Sequence, residues 1–483
     1  MKHLSLLFIA LLLLQIKLLA QEEFLIDTIS TVTCEQFNPT VSSDGNKFIV
    51  FWEDNRLTPI NLHGAVLNEQ GIFQNKTLIL NHNHREQPAV DFDGSNFFVV
   101  HEGDAIAPFF GWELRALCYD TNGELIYPYD IKIEHGDESS ISNLKICFGL
   151  SNYLVGYINS AHRSSMGVHI VYPNGQLGNY FYSLDVDLES VSFDGENYFI
   201  VRGGPRGCRV DTSGAVIDSS WIQISPGMNG GNSSVAFDGT NYLVVWQSKD
   251  SLDYYDIYCA RVTPSGEVLD TLGFPISIAD SNQVNPEIAF DGENYVVVWE
   301  DYRNGPEADI YCAKVDTAGN VIDSFPISTK EGDQIQPALV KGSGNKVLVV
   351  YSGWTGEYQG KTYNSMRIWG KILDGSTDVK EDKGNNTVND FNLKQNYPNP
   401  FNSATAIQYS IPQRNNVLVK VYDILGNEIE TLVNEEKPTG TYEISWNATN
   451  LGSGIYFYRI QAVDPSTGSG QSFVETKKMV LMK

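Results

Sequence analysis

Ser234-Val-Ala-Phe-Asp-Gly-Thr-Asn-Tyr-Leu-Val-Val-Trp246 and Glu287-Ile-Ala-Phe-Asp-Gly-Glu-Asn-Tyr-Val-Val-Val-Trp299 are near-copies of one another. Each is followed by a polar loop and then by Asp256-Ile-Tyr-Cys-Ala-Arg-Val262 or Asp309-Ile-Tyr-Cys-Ala-Lys-Val315. A Gly turn comes next, and the unit closes on Pro275-Ile-Ser-Ile278 or Pro326-Ile-Ser328. One unit thus holds four short apolar runs divided by turn signals. At about 50 residues per unit, that is the pattern of a four-stranded propeller blade. The runs are continuous and do not alternate, as in Tyr295-Val-Val-Val-Trp299, which implies strands covered on both faces. Asp-Gly supplies the positive φ of a tight hairpin turn.

Working outward, the Asp-Gly turn recurs at Asp44-Gly45, Asp93-Gly94 and Asp194-Gly195. Two copies lack it but keep the frame: Phe148-Gly149-Leu150-Ser151-Asn152-Tyr153, and Ser343-Gly344 ahead of Val347-Leu-Val-Val-Tyr351. Eight residues past the Asp position stand Trp52, His101, Tyr157, Arg202, Trp246, Trp299 and Tyr351. Gly71, Gly123, Gly175, Gly214, Gly266 and Gly319 mark the turn between the third and fourth runs. The last copy stops after residues 367–373 without a fourth run, whereas residues 24–32 precede the first copy as an orphan run. Ile29-Ser30 in that orphan echoes the Ile-Ser of the other fourth runs. The expectation is an all-β chain: a seven-bladed β-propeller over residues 21–375, its last blade closed by residues 24–32, which protects otherwise open sheet edges.

The two ends of the chain read differently. Lys2-His3, the apolar run 4–14 and the small residue Ala20 form a secretory signal peptide over 1–20, too short for a membrane span. No later segment is long and apolar enough to cross a bilayer. The formal net charge of −26 argues against nucleic-acid and anionic-membrane partners. Export permits disulfides, yet the cysteines at 34, 118, 147, 208, 259 and 312 fit no Zn spacing. Cys259 and Cys312 occupy equivalent places in adjacent units and are expected to be unbonded, because stacked sheets lie about 10 Å apart.

Residues 376–392 are rich in Asp, Lys, Asn and Thr and read as a linker. From residue 393 to 483 new runs appear at 405–411, 417–422, 428–433, 442–446, 455–462 and 473–482, consistent with a small Ig-like β-sandwich. This segment carries Tyr397-Pro398-Asn399-Pro400-Phe401-Asn402, a mid-domain Leu425-Gly426 turn, Gly454-Ile455-Tyr456 and a terminus of Lys477-Lys478-Met479-Val480-Leu481-Met482-Lys483. In that order these motifs resemble the C-terminal sorting domain of the type IX (Por) secretion system. The resemblance is carried by Tyr397, Pro398, Asn399, Pro400, Phe401, Gly426, Gly454, Tyr456 and Lys478. It implies passage through the periplasm and recognition by an outer-membrane translocon and a sortase. Release or attachment at the outer-membrane surface follows. The repeats also resemble the secreted Phe-Asp-Gly-x-Asn-Tyr propeller repeats of bacteria, which imply no particular activity.

Chemistry is harder to find. Gly-x-Ser-x-Gly and His-Glu-x-x-His are absent, as is the Ser-x-Asp-x-Gly-x-Thr-Trp turn of sialidases. No catalytic, cofactor or metal residue is assigned. Asp54 with Arg56, and Asp301 with Arg303, could grip a ligand, but their repetition favours a local ion pair that braces the loop. Asp250, Asp253 and Asp256 lack the Asp-x-Asp-x-Asp-Gly spacing of a Ca²⁺ loop. His82 and His84 lack further metal ligands. Trp52, Trp246 and Trp299 sit at strand ends and suit packing better than a sugar platform. Gly227-Met-Asn-Gly-Gly231 precedes no helix that could hold phosphate.

In an up-and-down blade the 2–3 loops and the blade-to-blade links share one face. The 2–3 loops at 53–62, 102–112, 203–207, 247–255 and 352–366 vary most, so a glycan or protein ligand is expected there. The leading reading is a non-enzymatic binding protein. The alternatives are a secreted glycan hydrolase with a carboxylate pair at the channel mouth and a structural display module.

Overall fold

Asp-Gly turns and doubly buried apolar runs leave the chain little choice but short antiparallel strands, and strands are the regular elements found. A computed structural model describes residues 23–27, 34–56, 60–80, 88–104, 112–126, 131–136, 141–159, 165–183, 187–226, 230–249, 253–374, 391–393, 396, 399, 401, 403–412, 414–437, 440–463 and 472–481. The signal peptide, Ile29-Ser30 and nearly all of the linker lie outside the described residues. The chain divides into two compact units, the main body of the second beginning at Thr377.

In the first unit, four-stranded antiparallel sheets follow one another along the chain. Sheets A to F span 36–80, 89–136, 141–183, 190–223, 230–277 and 283–328. Sheet G combines Gln334–Lys341, Val347–Tyr358 and Lys361–Leu373 with Phe24–Leu25. In every sheet, strand order follows the chain, apart from this borrowed edge. The first strand of each sheet lies against that of the next, and the first strand of sheet G lies against that of sheet A. This cyclic arrangement is a β-propeller fold.

The second strands form the core. Lys47–Asp54 and Tyr295–Asp301 are almost wholly buried, because each sheet is covered on both faces by its neighbours. The Asp-Gly-x-Asn-Tyr motif now has a physical explanation. Asp291 Oδ1 accepts the backbone N–H groups of Glu293 (2.8 Å) and Asn294 (2.7 Å). Asp44, Asp93, Asp194 and Asp238 make the equivalent pair of bonds. Gly292 takes φ +109°, which a side chain would resist. In two copies of the motif the Tyr hydroxyl also reaches across to the preceding sheet. Tyr295 Oη donates to the Asn241 carbonyl (2.8 Å), and Tyr198 Oη donates to the Asn152 carbonyl (2.7 Å). The motif is therefore both a turn and a sheet-to-sheet tie. Replacing Asp291 with Ala, which removes both turn bonds, is expected to cost about 1–2 kcal/mol, read as a lower urea midpoint with unchanged slope.

The edge of sheet G is set by register. Phe24 pairs with Gly370 and Leu25 with Trp369, and the Ile26 N–H donates to the Ile368 carbonyl (2.9 Å). In sheet E, Cys259 pairs with Phe274 and Tyr258 with Pro275. Phe24-Leu-Ile-Asp27 thus occupies the place of Phe274-Pro-Ile-Ser277. The Ile-Ser echo read at Ile29-Ser30 belongs three residues earlier, at Ile26-Asp27, because strand pairing and not similarity alone fixes the position. Residues 352–366, expected as a 2–3 loop, are largely strand. Val347–Tyr358 and Lys361–Leu373 continue as a paired ribbon through most of it, with a turn at Gln359 and Gly360.

All six cysteines are unbonded, and Cys259 and Cys312 are buried in third strands. The second unit holds a sheet ordered Asn392–Leu393, Ala404–Ile411, Gly440–Asn447, and a sheet ordered Glu428–Lys437, Asn415–Asp423, Gly454–Val463, Ser472–Leu481. Its core gathers Phe401, Ile407, Val419, Val421, Trp446 and Met479.

Candidate axial binding site

The first strands run alongside the axis, and each of five carries a bulge at its start. The third residue of each of these strands is left-handed: Asn38 (φ 51°), Asn143 (55°), Asn232 (51°), Asn285 (54°) and Gln336 (57°). The ladder shifts register at each. Asn tolerates this conformation better than other residues with side chains, which explains the amide series. The bulge turns these side chains toward the axis. Among the described residues the first strands of sheets B and D show no such bulge, and Glu189 stands beside that of sheet D instead.

A left-handed residue inside a strand leaves its N–H outside the ladder, so each needs another acceptor. In sheet F, Asn285 N–H donates to Gln247 Oε1 of sheet E (2.8 Å). In sheet G, Gln336 N–H donates to Glu300 Oε1 of sheet F (2.8 Å). Gln247 and Glu300 directly follow Trp246 and Trp299. Where that following residue is short, at Gly203 and Ser352, the axial residue itself spans the joint. Glu189 accepts from the N–H groups of Asn232 (2.9 Å) and Ser233 (2.7 Å), and Gln336 Oε1 accepts from Asn38 N–H (2.9 Å). Gln336 Nε2 also donates to Asn38 Oδ1 (2.6 Å), and Asn232 Nδ2 to Asn285 Oδ1 (2.5 Å).

These residues enclose a cavity of about 250 Å³ lined by Asn38, Asn143, Lys145, Glu189, Asn232, Ser233, Asn285, Pro286, Glu287, Glu300, Gln336 and Pro337. Lys145 is the one cation of that lining. Burial pushes the Glu300 carboxyl above its usual range, against the opposing pull of the Gln336 N–H. Glu287 accepts from Ser234 Oγ (2.8 Å). The cavity opens where second strands end, on the side of the 2–3 loops. Residues 57–59, 105–111 and 250–252 of those loops lie outside the described residues. The sequence reading passed over the axial amides. Their signal was Gln36-Phe-Asn-Pro39, Gln283-Val-Asn-Pro286 and Gln334-Ile-Gln-Pro337.

The other candidates fall apart in space. Arg303 holds Asp301 (2.5 Å) and reaches Ser277 Oγ in the preceding sheet (3.2 Å). Arg56 likewise holds Asp54 and reaches Asp27. Both pairs seal joints between sheets. Trp52, Trp246 and Trp299 are at most 1% exposed. Asp253 pairs with Lys249 (2.6 Å) in the open, whereas Asp256 is buried. Among the described residues no three His, Cys, Asp or Glu side chains gather as a metal site. His82, His84, Asp250 and residues 227–229 lie outside the described residues, and Gly230 packs under Trp246.

Of the sorting motif, Tyr397, Pro398 and Pro400 are outside the described residues. Asn399 Oδ1 accepts from Val480 N–H (2.8 Å), and Phe401 N–H donates to the Val480 carbonyl (2.9 Å). The motif's opening and the chain's end are thereby joined. Gly454 pairs with Leu481, Lys478 pairs with Phe457, and the Tyr456 ring meets Trp446 edge-on at 5.9 Å. Gly426 (φ +85°) stands apart, at a hairpin tip.

Residues 395–473 match the model of the secretion system C-terminal sorting domain. The chain therefore carries the type IX export signal, interacts with that machinery and is delivered to the cell surface or the extracellular space. No curated protein matches it in sequence. Among solved structures, the beta-propeller domain of the Trilobed protease from Pyrococcus furiosus is 11% identical, with 72% of this chain and 99% of that one covered and a TM-score of 0.45. The BP39L lectin from Burkholderia pseudomallei is 14% identical, with 70% and 98% covered and a TM-score of 0.49. Xyloglucan PUL GH43B from Bacteroides ovatus is 11% identical, with 95% and 92% covered and a TM-score of 0.34.

Proposed function

We propose that this exported protein is a closed seven-bladed propeller, followed by an Ig-like sorting sandwich, that binds a hydroxyl-rich ligand at its axial cavity. A glycan end is the ligand that fits best. The observation that carries this reading is the amide lining. An Asn or Gln side chain carries both donors and an acceptor, and the capacity left after the pairs Asn38–Gln336 and Asn232–Asn285 matches hydroxyl groups that also do both. The left-handed backbone holds those amides in place before a ligand arrives, so little ordering entropy is lost on binding.

A hydrolase is the second reading, favoured by Glu287 and Glu300 lining one cavity and by the raised Glu300 carboxyl. The engagement of the carboxylates weighs against it. Both Glu189 oxygens hold backbone N–H groups, and Glu300 Oε1 holds another. A display module needs no such cavity.

The test is a glycan and protein binding screen on the purified chain, with glycosidase assays on the same panel. Lys145→Ala with Glu287→Gln is expected to weaken the ligand found by about tenfold, the equivalent of one or two lost hydrogen bonds. Unchanged affinity in that double variant overturns the axial site. Turnover that disappears in Glu300→Gln and Glu287→Gln establishes the hydrolase instead.

A further inference from the structure

Apolar side chains held in water by a turn that does not need them call for a partner. The turn joining Asn415–Asp423 to Glu428–Lys437 is built from polar residues and a glycine. Asp423 Oδ1 accepts from Leu425 N–H (2.9 Å) and Asn427 N–H (2.8 Å), and Gly426 takes the left-handed position at φ +85°. The Ile424 and Leu425 side chains contribute nothing to this geometry, yet they are 67% and 82% exposed.

They are not isolated. Asp423 pairs with Tyr456, and Tyr422 pairs with both Phe457 and Glu428. Ile455 and Ile429, each next to one of those partners, therefore lie at the same end of the sheet. They too are exposed. Among the described residues from 391 onward, the other exposed large hydrophobic is Val474, which pairs with Gln461 toward the far end of the sheet.

We propose that Ile424 and Leu425, flanked by Ile429 and Ile455, form the apolar surface by which the sorting domain docks on an apolar patch of the outer-membrane export machinery. The occupant follows from the unit that carries the patch, which matches a secretion sorting domain. Recognition is that domain's task, and the motif's joined ends at Asn399, Phe401 and Val480 are spent on internal bonds and burial.

The experiment expresses the full chain in a type IX-competent host and compares Ile424→Ser with Leu425→Ser, combined, against Val474→Ser. Cell fractionation measures the share reaching the surface and medium, and thermal melting of the purified chains measures folding. The double variant is expected to melt like the parent but to lose export by about tenfold, as interface anchors do, while Val474→Ser is exported normally. Ile424→Val with Leu425→Met should restore export. Parental export of a folded double variant overturns the proposal. So does a double variant whose melting temperature falls along with export, because the patch would then be packing within the chain. Leu425→Ser alone, at the most exposed position, is expected to lose part of its export at the parental melting temperature, and parental export of that variant overturns the proposal as well.

Discussion

Replacing Arg56 with Ala is expected to destabilise the propeller by about 3 kcal/mol or more, the cost of leaving buried charge without its partner. Arg56 is the clasp of the ring. Its guanidinium holds Asp54 of sheet A and Asp27 at the end of sheet G's borrowed strand, and the two carboxylate side chains are 0% and 2% exposed. Gln36 Nε2 donates to the same two carboxylates (2.9 Å each), while Gln36 Oε1 accepts from the Ile368 N–H of sheet G (3.1 Å). Burial alone would raise the Asp54 carboxyl, but the Arg56 side chain and backbone and Gln36 outweigh it and lower it from 3.8 to about 2.

The sign of the pH dependence follows. A carboxyl lowered by folding contributes stability that is complete above its unfolded value and is lost as pH falls through the folded one. The deficit of the Arg56→Ala protein should be largest at neutral pH and should shrink between about pH 4 and pH 2, the range over which the parent loses the contribution of its lowered Asp54 carboxyl. Urea titrations at pH 7 and pH 3.5 measure both numbers. An equal deficit at the two pH values would mean that Arg56 acts through packing and not through charge.

Replacing Trp246 with Ala is expected to cost about 3–5 kcal/mol, the range for emptying a fully buried aromatic site. The indole is 0% exposed and stacks on Tyr258 at 6.4 Å with planes 19° apart. Two glycines are shaped to it: a Cβ on Gly230 would come within 2.5 Å of the ring, and one on Gly273 within 2.8 Å. The surroundings cannot collapse into the space without moving strand backbone, so the cavity persists. The variant also separates two readings of the repeated Trp. A packing residue gives a large drop in the unfolding midpoint. A sugar platform gives a stable protein that has lost its glycan.

The turns were legible because their chemistry is local. Asp291, Gly292 and Asn294 interact within four residues, and so their spacing alone announces a hairpin. Ser277 and Asp27 show the opposite case. They fill equivalent places, yet one is a neutral hydroxyl and the other half of an ion pair, and no local pattern relates them. The axial amides lie between these cases. The Gln-x-Asn-Pro words were visible, but nothing in them says that the Asn backbone is left-handed or that its side chain faces the axis.

By itself the sequence determined the unit of construction and the export route. Doubly buried strands need unbroken apolar runs, tight hairpins need Asp-Gly, and both demands are met within a few residues. Tertiary structure alone decided which polar side chains meet across the joints. Asn38 and Gln336 are 298 residues apart, and whether Glu189 or Gln336 must reach over depends on how short Gly203 and Ser352 are. A ring brings the first and last sheets together, and only there do such distant choices become one hydrogen-bonded site.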